Sequence, residues 1–217
     1  MGLRQSIKNA LPATVRRAIV GETEMPGGEK TADWYDRAFE RDNNFEKHYT
    51  ESAYYKIWTV ILDRIRRSRN RAILEVGCGT GQLALAIDDA GLVDTYRGFD
   101  FSPKRIELAK RSAPELDFDE ADAFATDLFD TFQYDLVLST EFLEHVEGDL
   151  EVLDRIRPNA HFIGTVPSYP WESHVRHFDS AEDVRQRYAS RFADFDILPL
   201  KKDRNGNVLY VIEGTKR

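Results

Sequence analysis

The sequence predicts an α/β protein: a mostly parallel sheet of seven strands, a C-terminal antiparallel hairpin and an N-terminal helical extension. From residue 71 onward, short apolar runs alternate with helical segments, which is typical of a parallel sheet. The last two apolar runs flank an Asn205-Gly206 pair, which is a signal for a β-hairpin. A chain of 217 residues with 41% hydrophobic residues is long enough to bury one such core.

Composition excludes several classes of protein. Acidic residues outnumber basic ones by 38 to 30, and the net charge of -8 makes nucleic acid a poor partner. The single cysteine, Cys78, excludes an intramolecular disulfide and a multi-cysteine metal site. No apolar run approaches the ~20 residues that a membrane span needs, and basic residues interrupt the N-terminal apolar segment. We therefore expect a cytoplasmic protein without a nucleic-acid partner or a transmembrane segment; its oligomeric state stays open.

We predict three parts along the chain. Residues 1–30 form a basic arm and a linker, since residues 1–20 carry four basic side chains and no acidic one. An arm that touches a membrane surface or a partner and a frayed terminus both fit this segment. Residues 31–70 form a helical cap, and residues 71–217 form the main domain.

The cap carries one strong helical pattern and an unusual number of aromatic residues. Apolar side chains recur at spacings of three and four through residues 45–67, which predicts a single amphipathic helix. The aromatic cluster is larger than one buried stripe requires, so we expect part of it to line a pocket; it comprises Trp34, Tyr35, His48, Tyr49, Tyr54 and Tyr55.

The main domain is predicted element by element. Strands are predicted at 72–76, 96–100, 117–120, 134–139, 161–166, 195–200 and 208–212. Helices are predicted at 82–90, 103–111, 143–156 and 181–188. Ser102 followed by Pro103 marks the start of the second of these helices, because serine caps a helix and proline suits its first turn.

A glycine-rich turn follows the first strand, where an open α/β sheet binds its ligand. The turn reads Gly-Cys-Gly-Thr-Gly over residues 77–81. Asp100 ends the second strand, where a carboxylate can accept ribose hydroxyl protons, and Asp122 after the third strand can reach an exocyclic amine. Glu75 beside the turn would repel a pyrophosphate, and Gln82 stands where a dinucleotide motif has its third glycine. These charges favour a ligand with an adenosine end and a cationic amine end.

Four segments together resemble the motifs of the class I S-adenosylmethionine-dependent methyltransferases: EVGCGTG at 75–81, GFDFSP at 98–103, ADA at 121–123 and YDLVLS at 134–139. The resemblance covers about residues 72 to 213 and implies a Rossmann-like sheet. It implies that the glycine turn contacts the methionine moiety, Asp100 the ribose, and Asp122 with the Ala123 backbone the adenine. The predicted cofactor-binding residues are Glu75, Gly77, Cys78, Gly79, Gly81, Asp100, Phe101, Asp122, Ala123 and Thr140. Residues 48–58 and 167–178 also resemble small bacterial methyltransferases of uncertain substrate.

A carboxylate–histidine segment follows the fourth strand. If it is helical, Glu141, Glu144 and His145 lie at i, i+3 and i+4 on one face. The segment resembles that of ubiquinone-pathway O-methyltransferases and small-RNA 2′-O-methyltransferases, where it is associated with a metal; similar pairs are widespread in metal-free methyltransferases. A divalent-metal site, a metal-free active-site role and helix capping are the three alternatives. We predict no metal; should one bind, its ligands would be Glu141, Glu144 and His145, with His174 or His177 as a fourth.

The loop after the fifth strand, residues 167–178, concentrates aromatic and imidazole side chains. Methyl transfer to oxygen releases the hydroxyl proton, which histidine can accept near pH 7. The predicted catalytic residues are His174, His177, His145 and Glu141. Activity should then fall as the pH drops through the histidine range near ~6.5.

The sequence thus predicts methyl transfer from S-adenosylmethionine to a small-molecule acceptor, as an O-methylation of a hydroxylated or sugar-like compound. A nicotinamide-dependent oxidoreductase on the same sheet is the first alternative. A non-catalytic cofactor-binding partner subunit, suggested by the basic arm, is the second.

Overall fold

The computed structural model describes residues 28–39 and 43–217. The basic arm and most of the linker predicted for residues 1–30 lie outside this range. The helices are α1 (Ala32–Phe39), α2 (Tyr55–Ser68), α3 (Gln82–Asp89), α4 (Pro103–Ser112), α5 (Leu128–Thr131), α6 (Asp149–Asp154) and α7 (Ala181–Tyr188). The strands are β1 (Ala72–Val76), β2 (Thr95–Asp100), β3 (Asp117–Glu120), β4 (Leu136–Ser139), β5 (His161–Pro167), β6 (Phe192–Lys201) and β7 (Val208–Lys216).

The seven strands form one sheet in the order β3-β2-β1-β4-β5-β7-β6. The first five run parallel, and β7 pairs antiparallel with both β5 and β6. This is the mostly parallel sheet with a terminal hairpin that the sequence predicts. The strand order reverses between β1 and β4, and a sheet of this kind binds its ligand at that reversal, beyond the carboxyl ends of the strands.

Alternating side chains on the central strands divide the core between the two faces of the sheet. In β1, Ile73 packs with α2, α3 and α4 on one face, whereas Leu74 and Val76 pack with α6 and α7 on the other. Every one of these side chains is at most 1% exposed. Near-continuous burial on both faces is what a parallel sheet covered by helices requires. Among residues 28–39 and 43–217, no helix is both long and apolar enough to cross a bilayer.

The single helix predicted for residues 45–67 is wrong at its start. Two short 3₁₀ turns, Asn43–Glu46 and Tyr49–Glu51, precede α2. The His48 imidazole accepts the Thr50 backbone N–H, and Ser52 is extended, with its hydroxyl accepting the Tyr54 N–H. Such local bonds from side chains to the backbone compete with helix formation, so the helix begins only at Tyr55.

The helix predicted for residues 143–156 is also wrong. The chain forms one 3₁₀ turn, Leu143–His145, then an extended Val146, and resumes as α6 after Gly148. Glu141 before it has a φ of +52°, in the left-handed region. Because the segment is not one continuous helix, the i, i+3, i+4 spacing does not place its side chains on a common face.

Candidate active site

A cavity of about 970 Å³ opens at the carboxyl ends of the parallel strands. Its walls come from α1, the glycine turn, the ends of β2 and β4, the loop after β5 and the tip of the β6–β7 hairpin. Of the aromatic cluster predicted to line a pocket, Trp34, Tyr35 and Tyr54 do so, whereas His48, Tyr49 and Tyr55 lie elsewhere.

The glycine turn lies against β2 and the Glu141 segment. The N–H groups of Gly77 and Cys78 both donate to the Phe99 carbonyl, at 2.9 and 3.0 Å. A Cβ on Gly77 would lie 2.6 Å from the Phe142 ring, so this glycine permits the close approach of the two segments. A Cβ on Gly79 would meet only the Arg105 guanidinium, at 4.0 Å. The absence of a side chain at Gly79 therefore leaves open space at the cavity wall.

Asp100 lies at the centre of this wall. Its two carboxylate oxygens accept the backbone N–H groups of Gly79 at 3.1 Å and Ser102 at 3.0 Å. The Arg105 guanidinium is 3.8 Å from the same carboxylate and stacks over the Tyr35 ring at 4.6 Å. Arg105 is an additional site residue that the sequence analysis missed, because a basic residue inside an amphipathic helix resembles an ordinary surface position.

The other predicted cofactor-binding residues line the same cavity, except Gly81, which packs against Ala109 of α4 and lies outside the lining. Glu75 lies beneath the glycine turn and is only 1% exposed; its carboxylate accepts the Tyr96 hydroxyl proton at 2.6 Å, and burial raises its pKa to about 7. Asp122 accepts the Phe124 N–H at 2.9 Å, which fixes the backbone beside Ala123. Phe101 lies edge-on to Tyr35 at 5.6 Å. Thr140 also lines the cavity.

The Glu141 carboxylate contacts Tyr54 and Lys202 rather than His145, which was predicted to share its face. The Glu141 N–H donates to the Thr165 hydroxyl at 2.9 Å, which holds the left-handed backbone in place. Its carboxylate accepts the Tyr54 hydroxyl proton at 3.1 Å and lies 3.8 Å from the Lys202 ammonium. The predicted metal set of Glu141, Glu144 and His145 is therefore not assembled as expected.

Lys202, at the hairpin tip, is a second site residue that the sequence did not reveal. Its ammonium lies over the rings of Tyr54 and Tyr169, at 4.7 and 4.6 Å, and donates to both phenol oxygens. Asp203 accepts the backbone N–H groups of Asn205 and Asn207 and so fixes the tip of the hairpin. The Asn205-Gly206 signal predicted the turn, but no local pattern indicates that the turn reaches the cavity.

Glu144, His145 and His174 form a compact cluster, which is the predicted ligand set without Glu141 and with His174 rather than His177. Each offers one ligand atom, and these atoms lie within 4.8 Å of one another. Neither Glu144 oxygen has a hydrogen-bond partner in the described part of the chain. Burial and the neighbouring Glu141 carboxylate raise the pKa of Glu144 well above its ordinary value.

Both histidines of the cluster have one ring nitrogen bonded to a backbone carbonyl. Nδ1 of His145 lies 2.9 Å from the Ser173 oxygen, and Nδ1 of His174 lies 3.1 Å from the Tyr169 oxygen. A carbonyl can only accept, so each Nδ1 carries the proton and each Nε2 keeps its lone pair. Burial lowers the pKa of His145 to about 3 and also lowers that of His174, so both rings are neutral at pH 7.

His177 is the one predicted catalytic residue that the structure does not bring to this site. Its side chain is exposed and lies outside the cavity lining. Of the loop's two histidines, only His174 meets His145, with a ring separation of 4.9 Å.

A family model described as a methyltransferase domain matches residues 73–158, which include the glycine turn, Asp100 and the Glu144–His145 pair. Residues 73–158 thus form a methyltransferase domain. This assignment favours the methyltransferase over the nicotinamide-dependent oxidoreductase and the non-catalytic subunit. A search of curated proteins found no match to the sequence.

Three solved structures illustrate the methyltransferase fold. The N-methyltransferase NodS from Bradyrhizobium japonicum WM9, in complex with S-adenosyl-L-homocysteine, is 16% identical, with a TM-score of 0.61 over 76% of this chain and 87% of NodS. Magnesium protoporphyrin IX methyltransferase (ChlM) from Synechocystis PCC 6803, with bound S-adenosylhomocysteine, is 14% identical, with a TM-score of 0.65 over 86% and 98%. The methyltransferase domain of bacterial CtHen1-C is 14% identical, with a TM-score of 0.59 over 76% and 100%. At these identities the likeness shows the fold.

The cavity of this methyltransferase fits S-adenosylmethionine, the cofactor of the family. A Cβ at residue 79 would fill the open space beside the backbone. Glycine at such a position lets a ligand approach the backbone closely. The buried Asp100 carboxylate lies at the end of β2, where it can accept further protons from a ligand hydroxyl pair.

Proposed function

We propose that the protein transfers a methyl group from S-adenosylmethionine to a hydroxyl oxygen of a small acceptor. The observation that carries the proposal is the pair of neutral imidazoles, His145 and His174, at the wall of the cavity, each with a free Nε2 lone pair. A hydroxyl nucleophile loses its proton as the new bond forms, and a positioned neutral imidazole can receive it.

The glycine turn and Asp100 would hold the cofactor. Backbone at Gly77 and Gly79 would lie against the methionine part, Asp100 would accept from the ribose hydroxyls, and Phe101, Asp122 and Ala123 would flank the adenine. When bound, S-adenosylmethionine supplies an electrophilic methyl group. The Arg105 guanidinium, held between Asp100 and the Tyr35 ring, would keep the Asp100 carboxylate oriented.

The low pKa of His145 is compatible with its proposed role. A hydroxyl oxygen that has gained a methyl group but still holds its proton is strongly acidic, so even a weak base can take that proton. A base with a depressed pKa also remains unprotonated over a wide pH range. His174 would either receive the proton directly or hold the acceptor hydroxyl toward His145.

The acceptor side of the cavity is aromatic. Tyr54, Trp58, Tyr169 and Trp171 line it, and Trp171 is 66% exposed. Aromatic walls with a few placed polar groups are typical of sites for small organic ligands, including the sugar-like compounds that we propose as acceptors.

A divalent cation is the alternative way to lower the pKa of the acceptor hydroxyl. Glu144, His145 and His174 offer three ligand atoms of mixed carboxylate and imidazole type. We propose the metal-free version, because burial and the neighbouring Glu141 carboxylate raise the pKa of Glu144 well above its ordinary value, which disfavours the charged carboxylate that a cation would bind.

The deciding experiment is a methyl-donor assay against a panel of sugars, phenols and amines, run with and without excess EDTA. We expect turnover of a hydroxylated acceptor that survives EDTA and is lost in the H145A and H174A variants. H177A is the matched control and should retain activity, since His177 is exposed. Activity restored only by an added cation would establish the metal version. Turnover of amines alone would overturn the O-methylation.

A further inference from the structure

The loop after β5 lies across the turn that carries Glu144 and His145. Three contacts join them: the Ser173 carbonyl accepts from His145, the Val175 N–H donates to the Glu144 carbonyl at 2.8 Å, and the Arg176 side chain reaches over the turn. The loop therefore supplies both His174 and the group that sets the His145 tautomer.

Arg176 makes the most extensive of these contacts. Its Nη1 donates to the carbonyls of Leu143 and Val146, and its Nη2 donates to the Glu147 carbonyl at 3.0 Å. These carbonyls belong to the first residue of the 3₁₀ turn and to the two residues that follow the turn, where backbone acceptors lack partners within the turn. A guanidinium presents its donors in a fixed planar fork, so one side chain can hold three carbonyls in one arrangement.

A buried carboxylate holds the guanidinium itself. Asp149 Oδ1 lies 3.5 Å from Arg176 Nη2, and Asp149 is fully buried. Arg187 donates to both oxygens of the same carboxylate, at 2.8 and 2.6 Å, and the Tyr188 hydroxyl donates to it at 2.8 Å. The network thus anchors Arg176 to α6 and α7, the rigid helices on one face of the sheet.

We propose that Arg176 is a positioning residue for methyl transfer. It fixes the loop on the turn, so that the Ser173 carbonyl keeps His145 in its Nδ1–H tautomer with the Nε2 lone pair free. This inference rests on the proposed role of His145 as a proton acceptor. Arg176 itself lies outside the cavity lining and acts through the backbone of the turn.

The test compares R176K with R191K. Lysine keeps the positive charge but cannot span three carbonyls, whereas the Arg191 side chain pairs with Asp154 at 3.2 Å and, within the described chain, contacts neither Asp149 nor a carbonyl of the turn. Long-range ¹⁵N–¹H NMR spectra report which ring nitrogen of each histidine carries the proton. We expect wild type and R191K to show the Nδ1–H tautomer at His145, and R176K to show a mixture with Nε2–H.

Two further measurements separate positioning from general damage. S-adenosylhomocysteine affinity should stay within about twofold in both variants, and kcat should fall by about 10- to 100-fold in R176K alone. An unchanged His145 tautomer in folded R176K would overturn the proposal. Should R176K not fold, the wild-type spectrum decides. Slow exchange of the Arg176 guanidinium protons with solvent supports the clamp, meaning the bonds from Arg176 to the three carbonyls of the turn, and fast exchange contradicts it.

The outcome also distinguishes this inference from the proposed function. Loss of the Nδ1–H tautomer in R176K without any loss of turnover would keep the clamp as a structural fact but remove its role in the reaction. A metal-dependent or amine-specific wild-type enzyme would overturn the proposed function, while the tautomer comparison would still report on the clamp.

Discussion

Asp100 and Glu75 are both buried carboxyl groups beside the glycine turn, but their surroundings differ. Asp100 accepts two backbone N–H groups and lies near the Arg105 guanidinium, so its charge has several partners. Glu75 has the Tyr96 hydroxyl and lies in apolar surroundings, so burial opposes its charge. The first arrangement suits a ligand-binding carboxylate, and the second makes stability depend on pH.

Asp100→Ala should weaken S-adenosylhomocysteine binding by about 1–3 kcal/mol, because a buried pair of ribose hydroxyls loses its acceptor. Calorimetric titration measures the change. Asp119→Ala is the control, since Asp119 pairs with Arg97 on the outer strands and does not line the cavity. Equal affinities for the wild type and the Asp100 variant would contradict the assignment.

Glu75 should make the protein less stable as the pH rises. The unfolded chain releases this proton near the ordinary pKa of 4.5, whereas the folded state holds it to about 7. The folded state therefore binds more protons between these values, and stability falls across this window by up to about 3 kcal/mol. Glu75→Gln removes this pH dependence. The free energy of unfolding of the variant, relative to that of the wild type, should therefore rise as the pH increases from about 5 to 8. Chemical denaturation at the two pH values tests this, and a constant difference would refute it.

The depressed pKa values of His145 and His174 change the pH dependence expected from the sequence. The neutral imidazole is the competent form, and it is lost only when the pH falls through the folded-state pKa, which lies below the ordinary 6.5 for both residues. We expect the midpoint of the kcat–pH profile to lie below the ordinary histidine value of ~6.5, rather than at that value. A pH–rate profile with a midpoint at the ordinary histidine value would contradict the assignment of His145 and His174 as proton acceptors.

At the scale of elements, α4 joins the cofactor wall to α1. The Ser102 hydroxyl caps α4 by accepting the Arg105 N–H at 3.2 Å, as the sequence predicts, and also donates to the Asp36 carboxylate of α1 at 2.5 Å. Ser180 caps α7 in the same way, accepting the Asp183 N–H at 3.2 Å, but it is only half-buried, whereas Ser102 is fully buried. The two serines thus share one local role and differ in tertiary contacts.

Ser180→Ala should cost about 0.5–2 kcal/mol of stability, the ordinary value for a lost helix cap. Ser102→Ala should cost more, because it also leaves a carboxylate of α1 without its donor. Thermal or chemical denaturation of the two variants gives the comparison. A smaller loss for Ser102→Ala would show that the contact with α1 contributes nothing to stability.

At the scale of the whole molecule, the net charge of -8 opposes binding to nucleic acid. We expect no binding of single-stranded RNA in fluorescence anisotropy at a salt concentration of about 150 mM. A dissociation constant below about 1 µM would contradict this prediction. A variant lacking residues 1–20 would then show whether the basic arm is responsible.

The order of elements along the chain was determined by the sequence itself. The strands β1 and β3 and the helix α7 begin and end where local patterns predict, because alternation and helical spacing act within one segment. The glycine turn and Asp100 are equally local, since each follows directly from the strand before it. The residues proposed to bind the cofactor could therefore be predicted without a structure.

The catalytic half depended on tertiary structure. Sequence spacing assigns side chains to a common face only while the backbone is regular, and the left-handed Glu141 breaks that regularity. The Glu141 carboxylate contacts Tyr54 and Lys202, so the cluster beside His145 consists of Glu144 and His174. His174 rather than His177 reaches the cavity because the loop is fixed on the turn by Arg176, a residue whose bonds go to the backbone of another segment. Contacts between segments distant in sequence leave no local pattern, and they decide which of several plausible residues meet.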